Sequence, residues 1–306
     1  MKEAESQIRG FGPSEHDASG LSIIIPVFNE GAMTRQVLSD VRRAFEGAPQ
    51  PLEIIVVNDG STDGFPRAEV QSLCDRLIEH TVNHGYGAAV TAGLRAARFD
   101  TCAIIDADGT YPAERLPDLL QTMRAEGAAM VVGARTGAVV QAPLLRQPAK
   151  WVLRKLADFL AGRPIPDLNS GLRVFDRSLA LEYQTLYPRG FSFSSTITLA
   201  FLCNGLPVLF VPVNYYRRRG GRSKISPLRD TQGILLTILR TVMFFDPLKV
   251  LFPLSLVLGT ASLAVLAAGL VTGIVLDSTI AVLALSSVQT LAIGLLADLI
   301  VRRSGR

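Results

Sequence analysis

Short, almost unbroken apolar runs alternate with stretches of helical period through the first half of the chain. The run LSIIIPV at 21–27 precedes a helical pattern reaching about residue 45, and LEIIVVND at 52–59 precedes another reaching about residue 74. A short strand near 77–80 leads to the helical GAAVTAGLRAAR at 87–98. Then come TCAIIDAD, a helix after Pro112, and AAMVVGAR at 128–135. Strands apolar at every position need cover on both faces. Interleaved with helices, they predict an α/β fold with a doubly wound, mostly parallel sheet. After Arg135 the pattern loosens. Residues 143–161 read as helix, NSGLRVFDR leads into a strand, and 191–213 reads as helix then strand. Ser226–Phe245 has a helical pattern with one apolar face, suited to a membrane interface or to core packing.

Two later runs are of another kind. No charged residue occurs from Val250 to Leu276, nor from Ser278 to Ala297. Each exceeds the roughly 20 residues that cross a bilayer core. They predict membrane helices at about 251–275 and 280–300. Arg229, Arg240 and Lys249 precede the first; Arg302, Arg303 and Arg306 follow the second; the connecting loop carries no basic residue. By the positive-inside rule both outer flanks, and the domain before them, face the cytoplasm. The first 20 residues contain no apolar h-region, so they read as a polar tail rather than a signal peptide.

These runs account for a composition of 48% hydrophobic and 19% charged residues. The net charge is only +4, but its placement matters. Arg217, Arg218, Arg219, Arg222, Lys224 and Arg229 cluster just before the membrane. Such a cluster attracts anionic headgroups or grips the phosphate of a lipid substrate. No nucleic-acid partner is expected. The three cysteines, Cys74, Cys102 and Cys203, lack paired spacing and fit a reducing compartment.

In doubly wound sheets ligands bind at the carboxyl ends of strands. Polar residues stand there three times: Asn29–Glu30, Asn58–Asp59 and Asp106–Asp108. Asp106 and Asp108 are one residue apart, as positions facing one side of a strand end would be. Like charges this close call for a cation. Oxygen ligands point to Mg²⁺ or Mn²⁺, completed by substrate phosphate. Asp59, before a Gly–Ser turn, suits a nucleotide's base or ribose, or simply caps a helix. Gly85 and Gly87 open a helix but lack the third glycine of a dinucleotide fingerprint, which excludes that cofactor. In PDLNSGLRVF, Asp167 is placed to orient or deprotonate an acceptor, and Arg173 to hold phosphate.

Together SIIIPVFNE, IIVVNDGSTD, GYGAAVTAGLRAA, DADGTYP, NSGLRVF and VPVNYYRRRGGRSKI resemble family 2 glycosyltransferases of GT-A fold over about 20–226. The subgroup they resemble is the polyprenyl-phosphate (dolichyl- or undecaprenyl-phosphate) glycosyltransferases, many of which add two C-terminal membrane helices. The resemblance implies a nucleotide-sugar site of Pro26, Asn29, Glu30, Asp59, Gly87 and Asp106, with Asp59 on the base. It implies metal on Asp108 with Asp106, catalytic roles for Asp108, Asp167 and Arg173, and acceptor or phosphate contacts from Ser170, Arg173, Arg218, Ser223 and Lys224.

Two positions depart from the family's pattern. Asn58 replaces a common first aspartate, and Thr110 replaces a glutamine frequent in mannosyl-transferring members. The donor expected is therefore UDP-linked, with GDP-mannose the alternative. The processive Q-x-x-R-W motif is absent after Arg173, so one sugar per acceptor is expected. The implied layout is a tail at 1–19, a cytoplasmic catalytic domain at 20–225, juxtamembrane amphipathic helices at 226–248 and two membrane helices within 249–306. The rival readings are another lipid acceptor or a membrane-anchored nucleotide-binding scaffold. Gly269 and Gly273 form a G-x-x-x-G that would allow a homo-oligomer.

Overall fold

In a computed structural model, residues 17–136, 161–188, 193–216, 242–273 and 276–303 are described, with 155, 157–159, 236 and 239–240 between them. A seven-stranded sheet organises the first part. Its strands are β1 (Asp17–Val27), β2 (Leu52–Asp59), β3 (Arg76–His80), β4 (Phe99–Ile104), β5 (Met130–Thr136), β6 (Arg173–Asp176) and β7 (Val208–Asn214). The order is β3-β2-β1-β4-β6-β5-β7. All neighbours pair in parallel except β6, which runs antiparallel between β4 and β5.

The strand pattern partitions as its period of two requires. Ile24, Ile55 and Val57 pack into one apolar layer with α3 (Tyr86–Ala96), α5 (Arg177–Glu182) and α6 (Phe193–Cys203). Ile23, Ile25, Ile54 and Val56 pack into the other with α1 (Gly31–Ala44), α2 (Arg67–Leu73) and α4 (Leu116–Ala125). Core on both faces explains why these strands read as unbroken apolar runs.

Two expectations shift, and a third is met where the residues are described. The sheet takes up the end of the polar tail: β1 starts at Asp17, paired with Phe99. The helix after β2 is only seven residues, because Gly60 and Gly64 adopt positive φ and Pro66 precedes the first turn. Of the helical pattern at 143–161, residues 155, 157–159 and 161 are helical and the rest lies outside the described residues.

The two long apolar runs form α7 (Leu248–Thr272) and α8 (Asp277–Arg303). Only 17% and 6% of their most apolar windows are buried. A core hairpin of a soluble domain would be covered, so these are helices suited to a bilayer. They pack on each other along small residues at heptad spacing. Ser255, Ser262 and Gly269 are buried on α7, and Gly294 is buried on α8. Ser262 Oγ donates to the Ile280 carbonyl at 3.0 Å, and Ser287 Oγ to the Ser255 carbonyl at 2.8 Å. This changes the reading of the G-x-x-x-G. Gly269 belongs to the hairpin's own seam, and Gly273 ends α7 in the left-handed region.

Candidate functional site

The first segment past the sheet's carboxyl edge is held by side chains rather than by regular structure. Asn29, at φ 54°, accepts from Thr62 N–H through Oδ1 at 2.7 Å, while its own N–H donates to Ser61 Oγ at 3.0 Å. Asp63 Oδ2 accepts from Gly31 N–H at 2.9 Å and so caps α1 from another loop. Asn58 Oδ1 accepts from Ser61 N–H at 3.1 Å. The VFNE and NDGSTD motifs are thus one interlocked platform. Pro26 lies within β1, paired with Val57, and Glu30 is buried at the start of α1.

Asp59 is tied into the protein at both carboxylate oxygens. It is 2% exposed. His80 Nδ1 lies 2.7 Å from Oδ1, His84 N–H donates to Oδ1 at 3.0 Å, and Gly85 N–H donates to Oδ2 at 2.7 Å. In this structure Asp59 anchors the turn into α3, where Gly85 adopts φ 97° and Gly87 is buried in the first turn.

Asp106 and Asp108 sit in the turn after β4, not on its last pleat, close enough for the charge of one to act on the other. Tyr86 Oη donates to Asp106 Oδ1 at 3.0 Å. Thr110 donates to Asp108 Oδ1 from its N–H at 3.1 Å and its hydroxyl at 2.6 Å. Burial, and then the neighbouring Asp108, push the Asp106 carboxyl up to about 6. Burial and Asp106 also push the Tyr86 phenol well up, so it remains a donor. Gly171 backs directly onto Asp106: a Cβ there would lie 2.0 Å from Oδ2. Among the described residues no three His, Cys, Asp or Glu side chains form a ready metal cage. Two neighbouring carboxylates, oxygen-only and short of a full ligand set, fit a hard divalent ion shared with substrate phosphate.

Asp167 is locked. Arg135 Nε donates to Oδ2 at 2.7 Å and Nη2 to Oδ1 at 2.8 Å, while the Arg135 N–H adds a contact to Oδ2 at 3.1 Å. Asn169 N–H donates to Oδ1 at 3.1 Å. Burial alone would raise this carboxyl, but the Arg135 contacts win and hold it below the ordinary range. The Arg135 guanidinium also lies over the Tyr215 ring, 5.4 Å from its centroid.

Arg173, expected at a phosphate, is fully buried, and its guanidinium is taken up by protein groups. Nη1 donates to the Ser194 carbonyl and to Thr198 Oγ1, both at 3.1 Å, and Nη2 to the Ser170 carbonyl. Nε has no hydrogen-bond partner among the described residues. Burial pulls this guanidinium below its ordinary range. The Ser170 hydroxyl is likewise buried and donates to the Gly133 carbonyl at 2.6 Å. Both brace the Asp167–Gly171 segment onto β5 and α6. Arg218, Ser223 and Lys224 lie outside the described residues.

Three residues enter the site that the sequence reading did not single out. Tyr86 stands in a motif read for its glycines. Arg135 is the next-to-last residue of β5, at a strand carboxyl end to which the ligand rule applied equally. Tyr111 lies within DGTYP and is 6% exposed.

A mostly parallel sheet with paired carboxylates in the turn after a central strand defines an α/β glycosyltransferase fold of the GT-A type. The chain belongs to glycosyl transferase family 2, whose family model matches residues 22–183. It is 29% identical over 231 residues to a dolichyl-phosphate hexose transferase of Haloferax volcanii, covering 75% of this chain and 97% of that one. It is 31% identical over 218 residues to a polyprenol monophosphomannose synthase of Mycolicibacterium smegmatis (67% and 80% covered). Similarity to a dodecaprenyl-phosphate galacturonate synthase of Rhizobium johnstonii is 28% over 305 residues and spans 92% of this chain and 88% of that one. In fold it resembles glucosyl-3-phosphoglycerate synthase of Mycobacterium tuberculosis, solved with Mn²⁺, UDP and glucosyl-3-phosphoglycerate. That match has TM-score 0.56 and 20% identity over 73% of this chain and 80% of that one.

Proposed function

We propose that the chain transfers one sugar from a nucleotide sugar, UDP-linked, to the phosphate of a polyprenyl lipid at the cytoplasmic face of a membrane. The relatives' names support a polyprenyl-phosphate acceptor. The observation that carries it within this chain is the Arg135–Asp167 pair. A carboxylate held bidentate by arginine, with its pKa lowered, is a poor proton acceptor. An alcohol acceptor needs a base. A phosphate monoester, with a second pKa near ~6, arrives already ionised at neutral pH.

In this reading residues 20–225 form the catalytic domain, 226–248 lie along the interface, and the hairpin anchors the enzyme where its acceptor resides. Asp106 and Asp108 would hold Mg²⁺ or Mn²⁺, which supplies neutralisation of the charge on the departing diphosphate. Tyr86 and Thr110 fix one oxygen of each carboxylate. Asp167, oriented by Arg135, positions the acceptor. A phosphate oxygen forms the new bond to the anomeric carbon as the bond to the nucleoside diphosphate breaks. The diphosphate departs with the electron pair, and a single displacement inverts the anomeric centre. The basic residues at 217–229 draw the anionic headgroup from the bilayer.

The test supplies the purified chain with undecaprenyl phosphate, Mn²⁺ or Mg²⁺, and separately labelled UDP-glucose, UDP-N-acetylglucosamine, UDP-galactose and GDP-mannose. Label entering the organic phase, and lost in Asp108→Ala, is the expected result and names the donor. Transfer to a lipid alcohol but not to the phosphate would overturn the acceptor assignment. Asp167→Asn should lower turnover by about tenfold to a hundredfold, within the range that misplacement produces, and by the same factor from pH 6 to 9. Steep recovery at high pH would instead make Asp167 the base.

A further inference from the structure

Donor and acceptor segments meet at one side chain. Tyr111 follows Asp108 by three residues, is buried, and reaches the Asp167–Gly171 segment through its hydroxyl. Its Oη accepts from Gly171 N–H at 2.7 Å. Gly171 is the residue whose Cα backs onto Asp106. The Tyr111 ring packs edge-on against Tyr215, with centroids 5.2 Å apart. One residue further, Tyr216 N–H donates to the Thr110 carbonyl at 2.9 Å. Thr110 is the residue that holds Asp108. Arg135, which holds Asp167, lies over the Tyr215 ring.

Three segments therefore share this contact: the carboxylate turn, the Asp167–Gly171 segment, and the end of β7. The basic run begins at Arg217, the next residue in the chain. A shift of Tyr215–Tyr216 must move Thr110, and with it the Asp108 oxygen. Packed contacts of this kind shift together rather than deform one at a time.

We propose that Tyr111 is a positioning residue that couples the two substrates: phosphate-lipid binding at the acceptor segment tightens nucleoside-diphosphate binding at the carboxylate turn, through the Tyr111–Gly171 hydrogen bond and the Tyr111–Tyr215 contact. This rests on the proposed two-substrate reaction. It adds that neither site reaches its working geometry alone, and that Tyr111 sets their mutual placement without touching the reacting atoms.

The experiment measures binding of UDP and of GDP, each with Mn²⁺, to the full chain in lipid nanodiscs with and without undecaprenyl phosphate. The unsubstituted chain should bind one nucleotide about fivefold or more tighter when the lipid is present, in the usual range of coupling between sites. By reciprocity, undecaprenyl phosphate should bind tighter by the same factor when the nucleotide is present. Tyr111→Phe, which keeps the ring, should reduce the factor to below about twofold while each ligand alone binds nearly as before. Tyr215→Leu removes the ring contact by another route and should do the same. The double variant should go no further, because both substitutions cut one connection. Full coupling in Tyr111→Phe, or loss of coupling only in step with a lowered melting temperature across variants, overturns the proposal. Independent binding of nucleotide and lipid to the unsubstituted chain also overturns it while leaving the glycosyl-transfer reading intact. If neither nucleotide nor lipid binds at all, that reading fails, and this inference with it.

Discussion

Asp106 sits where burial and a second carboxylate both oppose its charge, and Tyr86 offsets only part of this. Its folded pKa is about 6 against an ordinary 3.8. Between those values the native state keeps a proton that the unfolded chain has released. Stability contributed at this position is therefore present below about pH 4 and lost as pH rises through 6. Asp106→Asn should stabilise the metal-free protein at pH 7 by on the order of 1–3 kcal/mol, the scale of a two-unit shift, while abolishing transfer. Thermal melts in EDTA across pH 4–8 check this: the gap between variant and parent should open as pH rises. A gap that does not change with pH would mean that Asp106 is not strained. Protons and metal compete for the same oxygens, so Mn²⁺ affinity should fall as pH drops through 6. Gly171 makes a sharper test of the same carboxylate. In Gly171→Ala the new methyl would overlap Asp106 Oδ2, so Mn²⁺–UDP binding should weaken by about tenfold or more, roughly 1.4 kcal/mol. Calorimetry reads this directly, and unchanged affinity would mean that the Asp106 carboxylate moves aside freely.

At the scale of elements, legibility follows how much of the answer is local. Strands covered on both faces announce themselves as apolar runs, so β1, β2, β4 and β5 were readable, as was the carboxylate turn past β4. Side-chain assignments that depend on partners far along the chain were not. Asp59 lies beside a Gly–Ser turn in sequence, yet its partners are His80, His84 and Gly85, more than twenty residues later. Arg173 ends a phosphate-like motif, yet β6 runs antiparallel in the sheet's interior and buries it. The G-x-x-x-G was found by its spacing, but only the packed hairpin shows which face it uses. That hairpin makes its own prediction. A Cβ on Gly294 would stand 3.0 Å from Leu251 Cβ, so Gly294→Leu must force α7 and α8 apart. Overpacking of this kind costs about 1–3 kcal/mol. The variant should lower the melting temperature in detergent yet leave Mn²⁺–UDP affinity unchanged, because Gly294 packs on Leu248 and Leu251 of α7 and not on the carboxylate turn. An unaltered melt would show that the seam is loose enough to absorb the side chain.

For the whole molecule, the catalytic sheet and the hairpin must meet on the side of the membrane where nucleotide sugars reside. The two helices run antiparallel, so Lys249 at the start of α7 and Arg302 and Arg303 at the end of α8 share one end, and the turn beginning at Gly273 marks the other. Basic residues are retained on the cytoplasmic side during insertion. The end bearing Lys249, Arg302 and Arg303 should therefore be cytoplasmic, and the turn external. Ser278 and Arg303 are both exposed, which makes each a usable reporter once the three native cysteines are replaced. In intact cells a membrane-impermeant maleimide should label Ser278→Cys and leave Arg303→Cys unlabelled until the membrane is permeabilised. The reverse pattern would place the carboxylate turn outside, away from any cytoplasmic pool of nucleotide sugar. The basic run at 217–229 would then face the wrong leaflet to deliver a phosphate to Asp167. Topology is in this sense a test of the chemistry: an acceptor already ionised needs no base, but it does need donor, carboxylates and basic run on one side of one membrane.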